Sequence, residues 1–179
     1  MRRRSNYVLS SGFLVLSSGF LVLSSELFTK NYYFYKTLHR TKNIEPRTKN
    51  MASINRFQDL NCWKQSRILE NRIWDISSIG SFSKDYGLKD QINRATGSTM
   101  DNIAEGFGRG GNKEFINFLI ISRGSILEVQ SQLHRALDRK HITQIVFDEC
   151  FEITESITKL LTSFILYLRN SPEKGQRYS

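Results

Sequence analysis

Between residues 57 and 170 the apolar positions recur at intervals of three and four. That period places side chains along one face of an α-helix. Four such segments follow one another. The first spans about Leu60–Ile79, with Cys62/Trp63, Ser66, Leu69, Ile73 and Ile76 on its stripe. Asp59 stands before it as a candidate N-cap, and Gly80-Ser81 stops it. The second spans about Lys84–Glu105, on a stripe of Leu88, Ile92, Ala95, Thr99 and Ile103, and Gly106 ends it. Gly97-Ser98-Thr99 is poor helix sequence, which predicts a bend there. The third spans about Lys113–Arg139, with Asn112 as candidate N-cap and Phe115, Phe118/Leu119, Ser122, Ile126, Val129, Leu133 and Ala136 inward. Its last turn holds Arg135, Arg139 and Lys140, which suits the negative end of the helix dipole. The fourth spans about Gln144–Asn170, capped by Thr143, with Val146, Cys150, Ile153, Ile157, Leu160, Phe164 and Tyr167 on its stripe. Glu155 and Lys159 form a favourable i, i+4 pair, and Pro172 ends the helix.

Four long amphipathic segments joined by short loops predict an all-α, antiparallel, up-down-up-down four-helix bundle over residues 51–179. The spacing near 3.5 in the last two supports left-handed, coiled-coil-like packing. No stretch alternates as a strand does, which disfavours α/β folds. The only prolines are Pro46 and Pro172, so nothing between them breaks a helix by lacking an N–H.

Residues 1–50 follow another rule. Ser10-Ser11-Gly12-Phe13-Leu14-Val15-Leu16 recurs unchanged as Ser17 to Leu23, and a third copy decays at Glu26. As a strand, the odd period would swap faces at every copy. Arg2-Arg3-Arg4 before an apolar run imitates a signal peptide, but no Ala-x-Ala site follows. Three readings stand: repetitive DNA translated from a start upstream of Met51, an export signal or anchor, and a disordered basic tail. Residues 28–50 show no sustained period and read as linker or disorder.

Charge sharpens this division. The chain of 179 residues carries 26 Lys+Arg and 17 Asp+Glu, a net +9. Residues 1–50 hold nine basic and two acidic residues, hence +7; residues 51–179 hold seventeen and fifteen, hence +2. A basic protein suggests nucleic acid or an anionic membrane as partner, yet the bundle itself is almost neutral. Phosphate binding must then rest on local clusters, multiplied in an oligomer. Arg94, Arg109, Lys113 and Arg123 are the candidate cluster, around the second helix, the glycine turn and the start of the third helix. The alternative for the same residues is ordinary salt bridging, for instance Arg109 with Glu105.

Other chemistry is thin. Gly106-Phe107-Gly108-Arg109-Gly110-Gly111 matches G-x-G-x-x-G in form, but a helix precedes it where a dinucleotide site needs a strand. Asn112 stands where a P-loop needs lysine. Glycines in a helix–helix turn supply positive φ and a C-cap. A phosphate at the start of the third helix, between Arg109 and Lys113, is the remaining possibility. Cys62 and Cys150 lie far apart and read as reduced, buried thiols. His39, His134 and His141 form no zinc or di-iron pattern, and no serine sits in G-x-S-x-G. Asp148, Glu149, Glu152 and Glu155 form an acidic patch, either a solvated face or a partner for basic residues of a neighbouring subunit. These residues predict no enzyme, no cofactor, no metal and no small-molecule substrate. A membrane role is disfavoured, and a cytoplasmic location is expected unless residues 1–50 direct export.

Several stretches together resemble a known family. They are Phe57-x-Asp59-Leu60-x-x-Trp63-Lys64, Tyr86-Gly87-Leu88-x-x-Gln91-Ile92-x-Arg94-Ala95, Asn102-Ile103-Ala104-Glu105-Gly106-x-Gly108-Arg109, Lys113-Glu114-Phe115-x-x-Phe118-Leu119, Arg123-Gly124-Ser125-x-x-Glu128 and Gln132-Leu133. The chain from Phe57 to about Arg169 is similar to the four-helix-bundle proteins encoded in intervening sequences of bacterial 23S ribosomal RNA genes. More distantly it is similar to the accessory variability determinant of diversity-generating retroelements. The resemblance implies an up-down-up-down bundle, a homopentamer and no enzymatic activity. It also implies binding to RNA or DNA; the retroelement relatives work with a reverse transcriptase. The alternative is a scaffold that docks a partner protein. One departure stands out: the family pattern reads Ser-Ile-Pro before Asn-Ile-Ala-Glu-Gly, where this chain has Ser98-Thr99-Met100-Asp101.

Overall fold

The computed structural model describes residues 54–172, which belong to a unit spanning Asn50–Ser179. The readings made for residues 1–50 lie outside the described residues. Four helices follow in order: α1 (Asn61–Ser77), α2 (Tyr86–Gly108), α3 (Asn112–Asp138) and α4 (Gln144–Asn170). Two 3₁₀ turns, Phe57–Asp59 and Phe82–Lys84, precede α1 and α2. No strand occurs among the described residues.

The register between helices shows the antiparallel arrangement directly. Gln91 meets Arg135, Ser98 meets Ser125, and the Ser122 hydroxyl donates to the Thr99 carbonyl. As the number rises on α2 it falls on α3. Likewise Phe115 packs on Phe164, Gln130 on Thr154 and His134 on Phe147, so α4 runs back along α3. Helix α1 packs on α2 and closes the bundle against α4. An Arg72–Glu149 fork ties that last seam, with Nε at 3.1 Å and Nη2 at 2.7 Å from the two carboxylate oxygens. Both side chains are largely buried there.

The core is the inward stripe of each helix. Leu69, Ile73, Leu88, Ile92, Ile103, Leu119, Ile126, Val129, Leu133, Ile157 and Leu161 are fully buried, with Phe82 from the α1–α2 connection. Each contributes about 1.5–3 kcal/mol of apolar transfer. On α1, α2 and α3 the stripes follow the periodicity. On α4 they do not. Its buried residues are Phe147, Cys150, Ile153, Thr154, Ile157, Leu161, Ile165 and Leu168, whereas Leu160 and Phe164 are half-buried and Tyr167 is exposed. Val146-Phe147, Leu160-Leu161, Phe164-Ile165 and Tyr167-Leu168 are adjacent apolar pairs. Apolarity alone does not say which member points inward.

Several local expectations are corrected. Leu60, not Asp59, is the N-cap of α1; Asp59 ends the preceding turn and its carbonyl accepts from Lys64 Nζ. Gly111, not Asn112, caps α3, while Thr143 does cap α4, its hydroxyl accepting from the Val146 N–H. Helix α2 begins at Tyr86, with the Asp85 carboxylate accepting from the Leu88 N–H, and runs past Gly106 to Gly108. It is helical without interruption through Gly97-Ser98-Thr99, despite the poor helix propensity of that stretch. Met100 keeps the N–H that a proline would remove. The Thr99 hydroxyl and the Asn102 amide donate back to carbonyls four residues earlier, satisfying polar groups inside the helix. Glu155 accepts from Gln130 on α3, and no ion pair with Lys159 forms.

The glycine run has a packing explanation. A Cβ on Gly106 would lie 2.6 Å from Phe118 Cβ and 2.7 Å from Phe115 Cδ2. Gly106 is therefore where α2 and α3 come closest at this end of the hairpin. Gly110 has φ +72°, the left-handed geometry that lets the chain reverse.

Candidate nucleic-acid interface

The bundle presents its candidate cations on the α2–α3 hairpin. Arg94 lies midway along α2, exposed, with Nη2 3.0 Å from the Asp90 carboxylate one turn back. Arg109 lies just past the end of α2. It forms an ion pair with Glu105 and places its guanidinium 5.4 Å from the centre of the Phe118 ring. Lys113 is exposed in the first turn of α3, and Arg123 is half-buried ten residues further along. At 1.5 Å rise per residue, Arg94 and Arg109 stand about 22 Å apart, and Lys113 and Arg123 about 15 Å.

Helical phase decides which of them share a face. At 3.6 residues per turn, Arg94 and Arg109 fall within about 60° of each other on α2. Asp90, Asp101 and Glu105 fall in the same sector, so this stripe holds two cations among three carboxylates. On α3, Gln91 marks Arg135 as facing α2, and Thr154 marks Gln130 as facing α4. Arg123 lies on the Gln130 side, about 120° round from Arg135. The structure therefore groups Arg94 and Arg109 on one face, places Lys113 at its end, and turns Arg123 towards α4.

In place of Arg123, the fold brings Arg135 to Arg94. Both line an open groove of about 500 Å³ between α2 and α3, together with Gln91, Ser98, Glu128 and Gln132. Arg135 Nη1 donates to Gln91 Oε1 at 2.8 Å. Sequence periodicity marked Arg135 only as a last-turn residue answering the helix dipole. The pairing signal was present in the antiparallel register: residues near 131 on α3 must lie beside residue 94 on α2.

The other sequence candidates resolve into structure. Cys62 and Cys150 are free and buried, and burial pushes both thiols up to about 12. Glu149 of the acidic patch turns inward to Arg72, while Asp148, Glu152 and Glu155 stay exposed. His134 packs against Phe147 and Phe151. His141 sits in a chain that motif spacing did not reveal: Ser81 Oγ is 2.9 Å from its Nδ1, and Asp85 Oδ2 is 3.1 Å from its Nε2. The order of groups imitates a Ser–His–Asp relay. Asp85, however, is held by Arg139 and by the Leu88 N–H, which draw its carboxyl down to about 2. The His141 ring stacks on Phe82 at 5.3 Å. The cluster joins the α1–α2 connection to the α3–α4 connection at one end of the bundle, and the geometry is that of a clamp. Among the described residues no group of three His, Cys, Asp or Glu side chains is placed to hold a metal ion. No described helix is long and apolar enough to cross a membrane.

The described residues form an all-helical bundle of four antiparallel helices. The chain belongs to the 23S rRNA-intervening sequence protein family, whose model matches residues 58–163. A crystal structure of a protein of unknown function from the S23 ribosomal protein family of Bacteroides thetaiotaomicron shares the fold. It has a TM-score of 0.54 and 24% identity, covering 58% of this chain and 97% of that one. No curated protein matches the chain. Neither the family description nor the neighbouring structure names a reaction.

Proposed function

We propose that the chain is a non-enzymatic, homo-oligomeric bundle that binds nucleic acid through phosphate contacts. Arg94, Arg109 and Lys113 make those contacts, and Arg135, in the place Arg123 leaves, assists Arg94. The observation that carries this reading is the approach of Arg94 and Arg135, from two helices, to one open groove. The carboxylates beside Arg94 and Arg109 do not forbid it. An exposed i, i+4 pair is worth about 0.3–0.5 kcal/mol, so an incoming phosphate displaces Asp90 or Glu105 at small cost. The near-neutral bundle then needs several copies to hold a polyanion. Ile120 and Leu127, seven residues apart on one face of α3, supply a surface for self-association, and both are exposed.

That same apolar stripe favours a second reading, a scaffold that docks a partner protein and leaves its arginines in internal salt bridges. Titration of the full chain with a mixed-sequence duplex and a single strand, at several salt concentrations, separates the two. Phosphate binding predicts affinity that falls steeply with salt and weakens in Arg109→Ala and Lys113→Ala. No binding at low salt would sink the nucleic-acid reading. Affinity untouched by those substitutions would refute the site. Mass measurement in solution tests self-association: the homopentamer is expected, and a monomer would remove the multiplied charge on which binding depends.

A further inference from the structure

The groove between α2 and α3 carries more than its arginines. Gln132 lines it, yet is only 8% exposed, and its Oε1 has no hydrogen-bond partner. Its inward neighbours Val129, Leu133 and Ala136 are apolar and satisfied. A buried amide oxygen left unbonded costs about 1–3 kcal/mol, so this glutamine is a poor choice for packing alone. Glu128, one turn earlier on α3, is exposed at the groove and has no ion-pair partner among the described residues. One exposed acceptor, Glu128, and one enclosed beside it, Gln132 Oε1, thus lie on the α3 wall, and Arg94 and Arg135 supply positive charge from both helices. A volume of about 500 Å³ falls within the range of small-ligand sites.

We propose that this groove holds one nucleotide unit of a single-stranded nucleic acid. Its phosphate lies on Arg94 and Arg135, and an amino-bearing base edge donates to Glu128 and, once the enclosed amide turns to the groove, to Gln132 Oε1. The assignment rests on the nucleic-acid reading above and adds a base subsite to it. A ligand for this site must be anionic at one end and rich in N–H donors at the other. Cytosine meets that need with its exocyclic amine. Uracil presents a carbonyl at the same position, which a carboxylate repels.

Calorimetric titration of the full chain with CMP, UMP and inorganic phosphate tests the subsite. CMP is expected to bind about tenfold more tightly than UMP, the equivalent of one good hydrogen bond, and more tightly than phosphate. Arg135→Gln and Gln132→Leu are each expected to weaken CMP by about tenfold. Glu128→Gln changes an exposed residue, leaves the core alone, and is expected to erase the preference for CMP over UMP. CMP binding no tighter than phosphate would overturn the base subsite, as would an unchanged preference in Glu128→Gln. A single-stranded oligonucleotide measured in parallel distinguishes the two levels. If it binds equally well to wild type, Arg135→Gln and Gln132→Leu, the groove proposal is overturned and phosphate contact rests on Arg109 and Lys113 alone. If it does not bind wild type at low salt, both fall.

Discussion

Two glycines of one helix should respond to alanine with opposite signs. Gly97 and Gly106 both lie within α2. Replacing an interior helical glycine by alanine gains about 0.8–1 kcal/mol from backbone entropy and solvation. At Gly97 nothing lies within 4 Å of the new Cβ, so that gain is realised in full. At Gly106 the Cβ would stand 2.6 Å from Phe118 Cβ and 2.7 Å from Phe115 Cδ2. The first of these is anchored on the α3 backbone, and no rotamer change can move it away. The helices must separate, and the Phe115 ring must shift against Phe107 and Phe164. Overpacking of this kind costs about 1–3 kcal/mol, which exceeds the propensity gain. Gly106→Ala is thus expected to lose up to about 2 kcal/mol net, while Gly97→Ala gains. Urea denaturation followed by circular dichroism at 222 nm reads both. If Gly106→Ala is as stable as Gly97→Ala, the close contact of α2 and α3 is not where the structure places it.

Other expectations follow from the same geometry. Arg72→Ala leaves Glu149 largely buried without its fork and is expected to cost about 1.5–3 kcal/mol, the range for hydrogen bonds to charged groups; urea melts of Arg72→Ala and Glu149→Gln check it, and a loss within error would contradict the buried seam. Asp85 is held to about 2, against an ordinary 3.8, by Arg139, the Leu88 N–H and His141. Its contribution to stability is complete above about pH 4 and fades as pH falls through about 2, because the unfolded chain takes up the proton first. Asp85→Asn should flatten the fall in thermal midpoint over that window, and a parallel fall in both proteins would show that the clamp is silent. Cys62 and Cys150 should react with a thiol reagent in urea but only slowly in native buffer, since burial holds both near 12; rapid native labelling would place them at the surface.

The bundle was largely legible from periodicity because helix packing and apolar spacing are the same constraint. The inward residues of α1, α2 and α3 followed from a single stripe each. Helix α4 was harder, since adjacent pairs such as Leu160-Leu161 and Phe164-Ile165 offer two stripes of equal apolarity. Tertiary contact chooses between them, and Phe115 against Phe164 is one such contact. Gly97-Ser98-Thr99 is weak helix sequence by local propensity, yet it stays helical, with Thr96 and Thr99 packed in the core. Capping was misjudged by one residue at Asp59 and at Asn112, within the usual fraying of helix boundaries. The candidate cations were visible as a set but not as a surface. Whether two arginines share a face depends on the phase of both helices and on the register between them. That is why Arg123 turned away and Arg135 took a place beside Arg94. The Ser81–His141–Asp85 chain was likewise invisible, since it joins two connections sixty residues apart in sequence.

The salt dependence of single-stranded RNA binding tests the central claim most directly. It is measured on the full chain, as wild type and with Arg94, Arg109, Lys113 and Arg135 all changed to glutamine. Each phosphate contact contributes about −0.7 to the slope of log affinity against log salt for a single strand. The wild-type slope should therefore be steep, and removing four contacts per strand should make it shallower by about 3. Equal slopes for the two proteins, or no binding by wild type at low salt, would contradict the account.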